Sequence, residues 1–288
     1  MKQQYPKIEL VIVNDGSTDN TKEVVRSYAD ERVVYLEHHK NMGLNAAINT
    51  GFRKAKGKYV AKLDDDDELA EYAINTAIDT FKSVRGSNIG LLFFNCMDVE
   101  VKSMSGKYLP SQKVIKYEDL LRGSLQGDYW AVVDSSVLHP YEMLDENLWG
   151  GMGSLWLRVL LRCDAYYLPK TVYFTYRQHE MKRLTNFSSS RENWQRHEDT
   201  TASLLAEFGK DMMLVSPETY ARYIRILAFY QLMNRKFDRA RSNLILSLRT
   251  NMSLSASALL VLSFVGKGGA LSFIYRHLVE NRFIKQLF

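Results

Sequence analysis

The chain has 288 residues, of which 46% are hydrophobic and 25% are charged. This balance is typical of globular proteins with a buried core and excludes disordered, collagen-like and small disulfide-rich chains. The two cysteines, Cys96 and Cys163, have no metal-ligand spacing, so neither a disulfide framework nor a zinc site is expected. The first apolar run, residues 8–13, is too short for a signal peptide, and we therefore expect a cytoplasmic protein.

The net charge of +5 is unevenly distributed. Residues 210–288 contain twelve Lys and Arg against four Asp and Glu, whereas the rest of the chain contains 26 against 29. Basic surfaces attract anionic partners. The C-terminal quarter is therefore either a solvated helical face or a surface for an anionic partner such as a membrane, and we expect no nucleic-acid partner.

Strand and helix patterns alternate over the first 64 residues. Residues 8–13 (IELVIV) form an apolar, β-branched strand and are followed by a turn cluster, NDGSTD. Strands are also predicted over residues 33–36 and 59–63, and helices over 21–28 and 43–55. This alternation indicates βαβ units and a mostly parallel sheet. Ligands of such sheets bind at the carboxyl ends of the strands, where Asp15 and Asp64 to Asp67 fall.

The pattern is mixed beyond residue 68 and almost wholly helical beyond residue 190. Strands are predicted over residues 89–96, 99–109, 129–133, 166–168 and 171–176. Helices are predicted over residues 69–84, 154–162, 191–208, 217–233, 236–248 and beyond 254. The sequence therefore predicts an α/β domain over residues 1–190 and an all-helical extension over residues 191–288.

Four consecutive aspartates, residues 64–67, follow the predicted strand at 59–63. Adjacent like charges repel, and a divalent cation such as Mg²⁺ or Mn²⁺, bridging to substrate phosphates, would neutralise them. The alternative is an acidic cap at the start of the following helix, where the helix dipole favours negative charge. The position directly after a strand favours the cation site.

Two segments together resemble the donor half of family 2 glycosyltransferases with the GT-A fold. They are VIVNDGSTDNT at residues 11–21 and NMGLNAAINTGFRKAKGKYVAKLDDDDE at residues 41–68. Further on, LDENLWGG (144–151), SLWLRVLLR (154–162) and YLPKTVYFTYRQH (167–179) are similar to the acceptor half. The resemblance spans about residues 5–185 and implies metal-assisted transfer of a sugar from a nucleotide-diphosphate donor to a glycan or lipid-linked acceptor.

The resemblance also implies roles for particular residues. Asp15 would hydrogen-bond the nucleobase, and Asp64 and Asp65 would contact the ribose and the donor sugar. Asp66 would bind the metal. His179 ends a Tyr-Arg-Gln-His segment that some relatives use near the metal or the diphosphate, although a lone histidine can equally be structural.

The sequence departs from the family pattern in two places. The family's first strand and helix precede a segment like Gln4-Tyr5-Pro6, so this chain begins without them as given. The catalytic base, a carboxylate in relatives, is expected at the position of Met152, which cannot accept a proton. Asp128 is the substitute that we predict. These departures motivate an alternative, a catalytically impaired nucleotide-sugar-binding or scaffold protein.

The C-terminal helices have two interpretations. The apolar stretch at residues 254–275 is interrupted by glycines and is too short to span a membrane. With the flanking basic residues, peripheral docking on the cytosolic face of an anionic membrane is one interpretation. Packing against the catalytic domain is the other.

Overall fold

The computed structural model describes residues 3–138, 143–176 and 191–265. The chain divides into two compact units, Met1–Leu184 and Thr185–Phe288. His179 lies outside the described residues, as do residues 266–288 of the basic C-terminal region.

The first unit begins with alternating strands and helices, as the sequence predicts. Its elements up to the end of the third helix are β1 (Leu10–Asn14), α1 (Thr21–Ser27), β2 (Val33–Glu37), α2 (Leu44–Lys54), β3 (Tyr59–Ala61), β4 (Glu68–Leu69) and α3 (Ala73–Ser83). Those that follow are β5 (Ile89–Asp98), β6 (Ser103–Met104), β7 (Lys113–Ile115), α4 (Tyr117–Leu121), β8 (Tyr129–Asp134), α5 (Met152–Leu160) and β9 (Asp164–Thr175).

The strands form two sheets. β1 and β2 pair in parallel as a two-stranded sheet, and the second sheet has the order β3-β8-β5-β9-β4, with β6 paired to β5 and β7 to β9. The α/β class with flanking helices is confirmed, but the second sheet is mixed where a mostly parallel one was predicted. Its only parallel pair among the described strands is β5 with β9. The direction of a strand depends on which distant strand it meets, and a local pattern does not carry that information.

The central strand β5 separates two apolar clusters. Successive side chains of a strand point to opposite faces of the sheet. Leu91 and Phe93 accordingly pack with helices α2 and α5, and Leu92 and Phe94 pack with α3. Because both faces of β5 are buried, its sequence is a nearly continuous apolar run. The same packing fixes the position of the ends of the strands, where the polar residues of the candidate site lie.

Two local predictions are corrected by the structure. β9 continues through Pro169, where two strands were predicted, because the register against β5 shifts between Leu168 and Thr171 and accommodates a residue without an amide hydrogen. Residues 99–109 were predicted as a strand, but they contain only the short β6.

The described part of the second unit is helical. It contains α6 (Arg191–Val215), α7 (Pro217–Met233), α8 (Phe237–Thr250) and α9 (Leu254–Val265). Trp194 packs with Phe229 and Leu244 in the core of these helices. The start of α7 follows a standard pattern, with Ser216 as the N-cap and Pro217 in the first turn. No helix among the described residues is long and apolar enough to cross a membrane.

Candidate active site

The four aspartates form a tight turn between β3 and β4, called here the acidic turn (residues 64–67). The backbone N–H of Asp67 donates to the carbonyl of Asp64 at 3.3 Å. The turn does not cap a helix, because β4 follows it and the N-cap of α3 is Tyr72. The alternative of an acidic helix cap is therefore wrong.

The carboxylates of the acidic turn do not converge on one point. Asp64 pairs with Lys62, whose Nζ lies 2.8 Å from Oδ2. Asp67 faces β9, Asp65 is exposed and Asp66 is partly buried. Among the described residues, no three His, Cys, Asp or Glu side chains are arranged to hold a metal ion. Lys62 thus neutralises Asp64 within the protein itself, and Asp67 accepts hydrogen bonds from Tyr173 and Tyr176, contacts that the sequence pattern did not predict.

Two tyrosines of β9 and its C-terminal end contact the acidic turn. The Tyr173 hydroxyl donates to Oδ2 of Asp67 at 2.8 Å, and the Tyr176 backbone N–H donates to Oδ1 at 3.2 Å. Burial raises the pKa of Asp67, although both hydrogen bonds act against that rise. Burial, followed by the nearby Asp64, raises the pKa of the Tyr173 phenol. The hydroxyl therefore stays protonated and remains a donor at neutral pH.

Asp15, at the end of β1, supports the loop between β2 and α2. Its Oδ1 accepts from the Met42 backbone N–H at 2.9 Å and lies 2.7 Å from His38 Nδ1, and its Oδ2 accepts from the Gly43 N–H at 2.8 Å. Gly16 has φ of 76°, and a Cβ there would lie 2.5 Å from the backbone nitrogen of Asn41. This close approach requires glycine at position 16. The nucleobase role of Asp15 stays a prediction.

Two asparagines of α2 hold the loop at residues 144–150, which the sequence analysis missed. The buried Asn49 exchanges hydrogen bonds with the backbone of Leu144, donating at 2.8 Å and accepting at 3.0 Å. The side-chain nitrogen of Asn45 lies within 2.9 Å of the carbonyls of Asp145, Leu148 and Gly150. The motif of α2 was visible in the sequence, but its partners lie about a hundred residues away and left no local signal.

Glu146 in this loop is also bound to α2. It accepts from Asn49 Nδ2 at 2.9 Å and from Arg53 Nη2 at 3.0 Å. The hydrogen bond from Asn49, followed by Arg53, lowers the pKa of Glu146. Because the carboxylate of Glu146 already accepts hydrogen bonds from two side chains of α2 and so holds the loop, Glu146 is a poor candidate for the catalytic base.

The two candidate base positions have different surroundings. Met152 begins α5 directly after Gly151, and its side chain packs against the main apolar cluster. Asp128 is exposed and precedes β8, beside the end of β5, since Tyr129 pairs with Asn95. Burial raises the pKa of the Cys96 thiol, with further contributions from Asp128 and then from the acidic turn. Because β8 runs antiparallel to β3, with Ala61 opposite Val132, the start of β8 and Asp128 before it lie at the sheet edge where β3 leads into the acidic turn.

The class of protein follows from the sequence and the fold together. Residues 1–138 match the model of the family described as glycosyl transferase family 2. This match, over a little under half of the chain, identifies residues 1–138 as a family 2 glycosyltransferase domain. The predicted family is confirmed for these residues, and the predicted α/β class is confirmed by the structure.

Individual relatives cover different parts of the chain. The chain is 26% identical over 272 residues to GalNAc(5)-diNAcBac-PP-undecaprenol beta-1,3-glucosyltransferase of Campylobacter jejuni, a match that covers 91% of this chain and 86% of that protein. It is 30% identical over 141 residues to UDP-Glc:alpha-D-GlcNAc-diphosphoundecaprenol beta-1,3-glucosyltransferase WfgD of Escherichia coli, covering 49% of this chain and 54% of WfgD.

Solved structures share the fold at low sequence identity. Residues 1–349 of S. aureus TarS in complex with UDP-GlcNAc superpose with a TM-score of 0.57 at 17% identity, covering 91% of this chain and 72% of that one. The same fragment in complex with UDP gives a TM-score of 0.52 at 17% identity. These likenesses establish the fold.

Proposed function

We propose that this chain transfers a sugar from a nucleotide-diphosphate donor to a glycan or lipid-linked acceptor. The observation that carries the proposal is the acidic turn after β3 of a family 2 domain, with Asp65 exposed at its tip. The two curated relatives described above are named as transferases acting on undecaprenol diphosphate-linked substrates. TarS, which shares the fold, has been crystallised with UDP-GlcNAc.

The proposed donor roles follow the family resemblance. Asp15 would bind the nucleobase, and Asp64 and Asp65 would contact the ribose and the donor sugar. Asp15 and Asp64 already accept hydrogen bonds from protein groups. Carboxylates that are held in this way lose little further side-chain freedom when a ligand binds.

We assign Asp66 and His179 to a Mg²⁺ or Mn²⁺ ion. Magnesium usually takes one or two protein carboxylates together with substrate phosphates and water, so a full cage of protein ligands is not required. Asp66 fits such a site as a single carboxylate ligand, because it lies in the acidic turn next to Asp65, the residue proposed to contact the donor. When bound, the cation would stabilise charge that develops on the leaving diphosphate.

We propose Asp128 as the base that takes the proton of the acceptor hydroxyl. It is exposed and lies at the same sheet edge as the acidic turn, because β8 runs antiparallel to β3. Met152 has no group that accepts a proton. The alternative of an impaired binding protein is not favoured, because the two curated relatives are named as glucosyltransferases.

We propose residues 1–190 as the catalytic domain and residues 191–288 as an extension that docks on the cytosolic face of an anionic membrane. The outer face of α9 is apolar, with Leu254, Val261 and Phe264 exposed by 91%, 63% and 67%. Apolar residues beside basic ones are typical of interfacial helices.

Binding to anionic vesicles should weaken with salt and be lost when residues 253–288 are deleted. Equal binding to neutral and to anionic vesicles would contradict the proposed electrostatic attraction to the membrane.

A transfer assay tests the proposed function directly. The full chain is incubated with Mg²⁺ or Mn²⁺, a panel of UDP-sugars and an undecaprenyl diphosphate-linked monosaccharide, and the lipid product is analysed by mass spectrometry. We expect the mass of the acceptor to increase by one sugar residue with one donor of the panel. Release of UDP without a glycosylated lipid would contradict the proposed acceptor, and no reaction with any donor would contradict the function.

A further inference from the structure

Asp67 differs from the other carboxylates of the acidic turn because it faces the protein. Both of its oxygens accept hydrogen bonds from β9 and the residue after it, Oδ2 from the Tyr173 hydroxyl and Oδ1 from the Tyr176 backbone. Asp65, two residues earlier, is exposed. The family resemblance assigns no role to Asp67 or Tyr173, so these contacts need a separate explanation.

The Tyr173 hydroxyl contacts both ends of the turn. It accepts a hydrogen bond from the backbone N–H of Asp64 at 3.2 Å while it donates to Asp67. The Tyr173 side chain is only 6% exposed and packs with Phe94 and Trp130. A ring fixed by the core thus sets the position of the hydroxyl, and the hydroxyl sets the first and last residues of the turn.

The segment that leads into the turn is held from the same cluster. The indole N–H of Trp130, which is buried, donates to the carbonyl of Lys62 at 3.1 Å. Residues 62, 64 and 67 are therefore each bound to side chains of the core. The two residues between the last two attachment points, Asp65 and Asp66, have a restricted backbone before any ligand arrives.

We propose that Tyr173 and Asp67 are positioning residues, which hold the acidic turn in the conformation that presents Asp65 and Asp66 to the nucleotide-diphosphate donor. This inference rests on the proposed function of the turn. Neither residue needs to touch the donor. Their effect is that the turn is ordered before binding, so the donor does not have to supply that ordering.

Tyr173→Phe tests the proposal, because it removes the hydroxyl and keeps the ring in the core. The matched control is Tyr59→Phe, since Tyr59 packs against the same apolar cluster at the opposite end of β3. Two quantities are measured in the full chain. One is hydrogen exchange of the amides of residues 64–67, and the other is the dissociation constant of UDP, GDP, ADP, CDP and dTDP with Mn²⁺ by calorimetry.

We expect Tyr173→Phe to speed exchange at the Asp64 amide and to weaken the tightest-binding nucleotide about tenfold, the size of effect of one lost hydrogen bond to a charged group. Tyr59→Phe should change neither quantity. Asp67→Asn keeps one acceptor oxygen, so its exchange rate at the Asp64 amide and its dissociation constant should lie between those of Tyr173→Phe and the unmodified chain. A general loss of folded protein would lower the amplitude of the binding signal and leave the dissociation constant unchanged.

Two results would overturn the inference, and they are distinguishable from failure of the proposed function. Unchanged exchange at Asp64 would mean that Tyr173 does not hold the turn. Faster exchange with an unchanged dissociation constant would mean that its hold is irrelevant to the donor. If the unmodified chain binds none of the five nucleotides, the proposed function itself fails and the positioning role fails with it.

Discussion

The donor side and the acceptor side of the candidate site are built differently. On the donor side, carboxylates follow β1 and β3 and are held by hydrogen bonds from neighbouring residues. On the acceptor side, the loop at residues 144–150 is held by α2, but the position after it carries Met152, packed against the core. Hydrogen bonds thus hold the scaffold on both sides, whereas the proton acceptor that we propose for the acceptor side, Asp128, belongs to a different element.

The largest effect should come from Asp128, if it supplies that group. Asp128→Asn removes the proton acceptor and should lower the rate of sugar transfer about 10² to 10⁴-fold, with the dissociation constant of the donor unchanged. The measurement is transfer under saturating donor, alongside calorimetry. The control is Asp79→Asn, an exposed aspartate on α3. A rate within twofold of the unmodified chain would show that the base lies elsewhere.

A second prediction concerns the loop on the acceptor side. Asn49→Ala leaves the buried backbone of Leu144 without its partner, and the free energy of unfolding should fall by about 1–3 kcal/mol. Urea denaturation measures this change. Asn75→Ala, which removes an exposed amide on α3, should change it by less than about 0.5 kcal/mol. Equal effects of the two variants would contradict the role of α2 in holding the loop.

A smaller effect is expected from the pH dependence of Glu146. Its pKa is lowered in the folded protein, so its stabilising contribution is present above the unfolded pKa and is lost as the pH falls through the folded pKa. The unmodified chain should therefore lose more stability on acidification from pH 6 to pH 3 than Glu146→Gln does. Because Glu146 is partly exposed, the difference should be modest. Parallel curves for the two proteins would contradict this assignment.

The smallest effect is expected at Met152. If Asp128 is the base, the transfer rate of Met152→Asp should stay within about twofold of that of the unmodified chain, because Asp128 already accepts the proton. Met152→Asn is the matched control, because it loses the same apolar packing as Met152→Asp but has no carboxylate. A transfer rate at least tenfold higher in Met152→Asp, but not in the control, would instead show that the base belongs at residue 152, as in the family. That result would contradict the proposed role of Asp128.

The sequence predicted those elements whose signal is local. The helix over residues 217–233 was predicted with the bounds observed for α7, where Ser216 and Pro217 mark the start. The acidic turn and Asp15 were located from strand and turn chemistry and from the family resemblance. Contacts such as Asn45 with the loop, or Tyr173 with Asp67, could not be predicted, because both partners look ordinary in their own segments. They depend on strand order and register, which are properties of the folded chain.

The most direct test of the proposed donor site is a titration of the unmodified chain, Asp66→Ala and the control Asp79→Ala with nucleoside diphosphates, with and without Mg²⁺ or Mn²⁺. We expect saturable binding that requires the metal, is lost in Asp66→Ala and persists in Asp79→Ala. Thermal unfolding of Asp66→Ala should be unchanged, since removing one of several neighbouring negative charges does not weaken the fold. Binding that needs no metal and is equal in all three proteins would contradict the assignment of the acidic turn as the donor site.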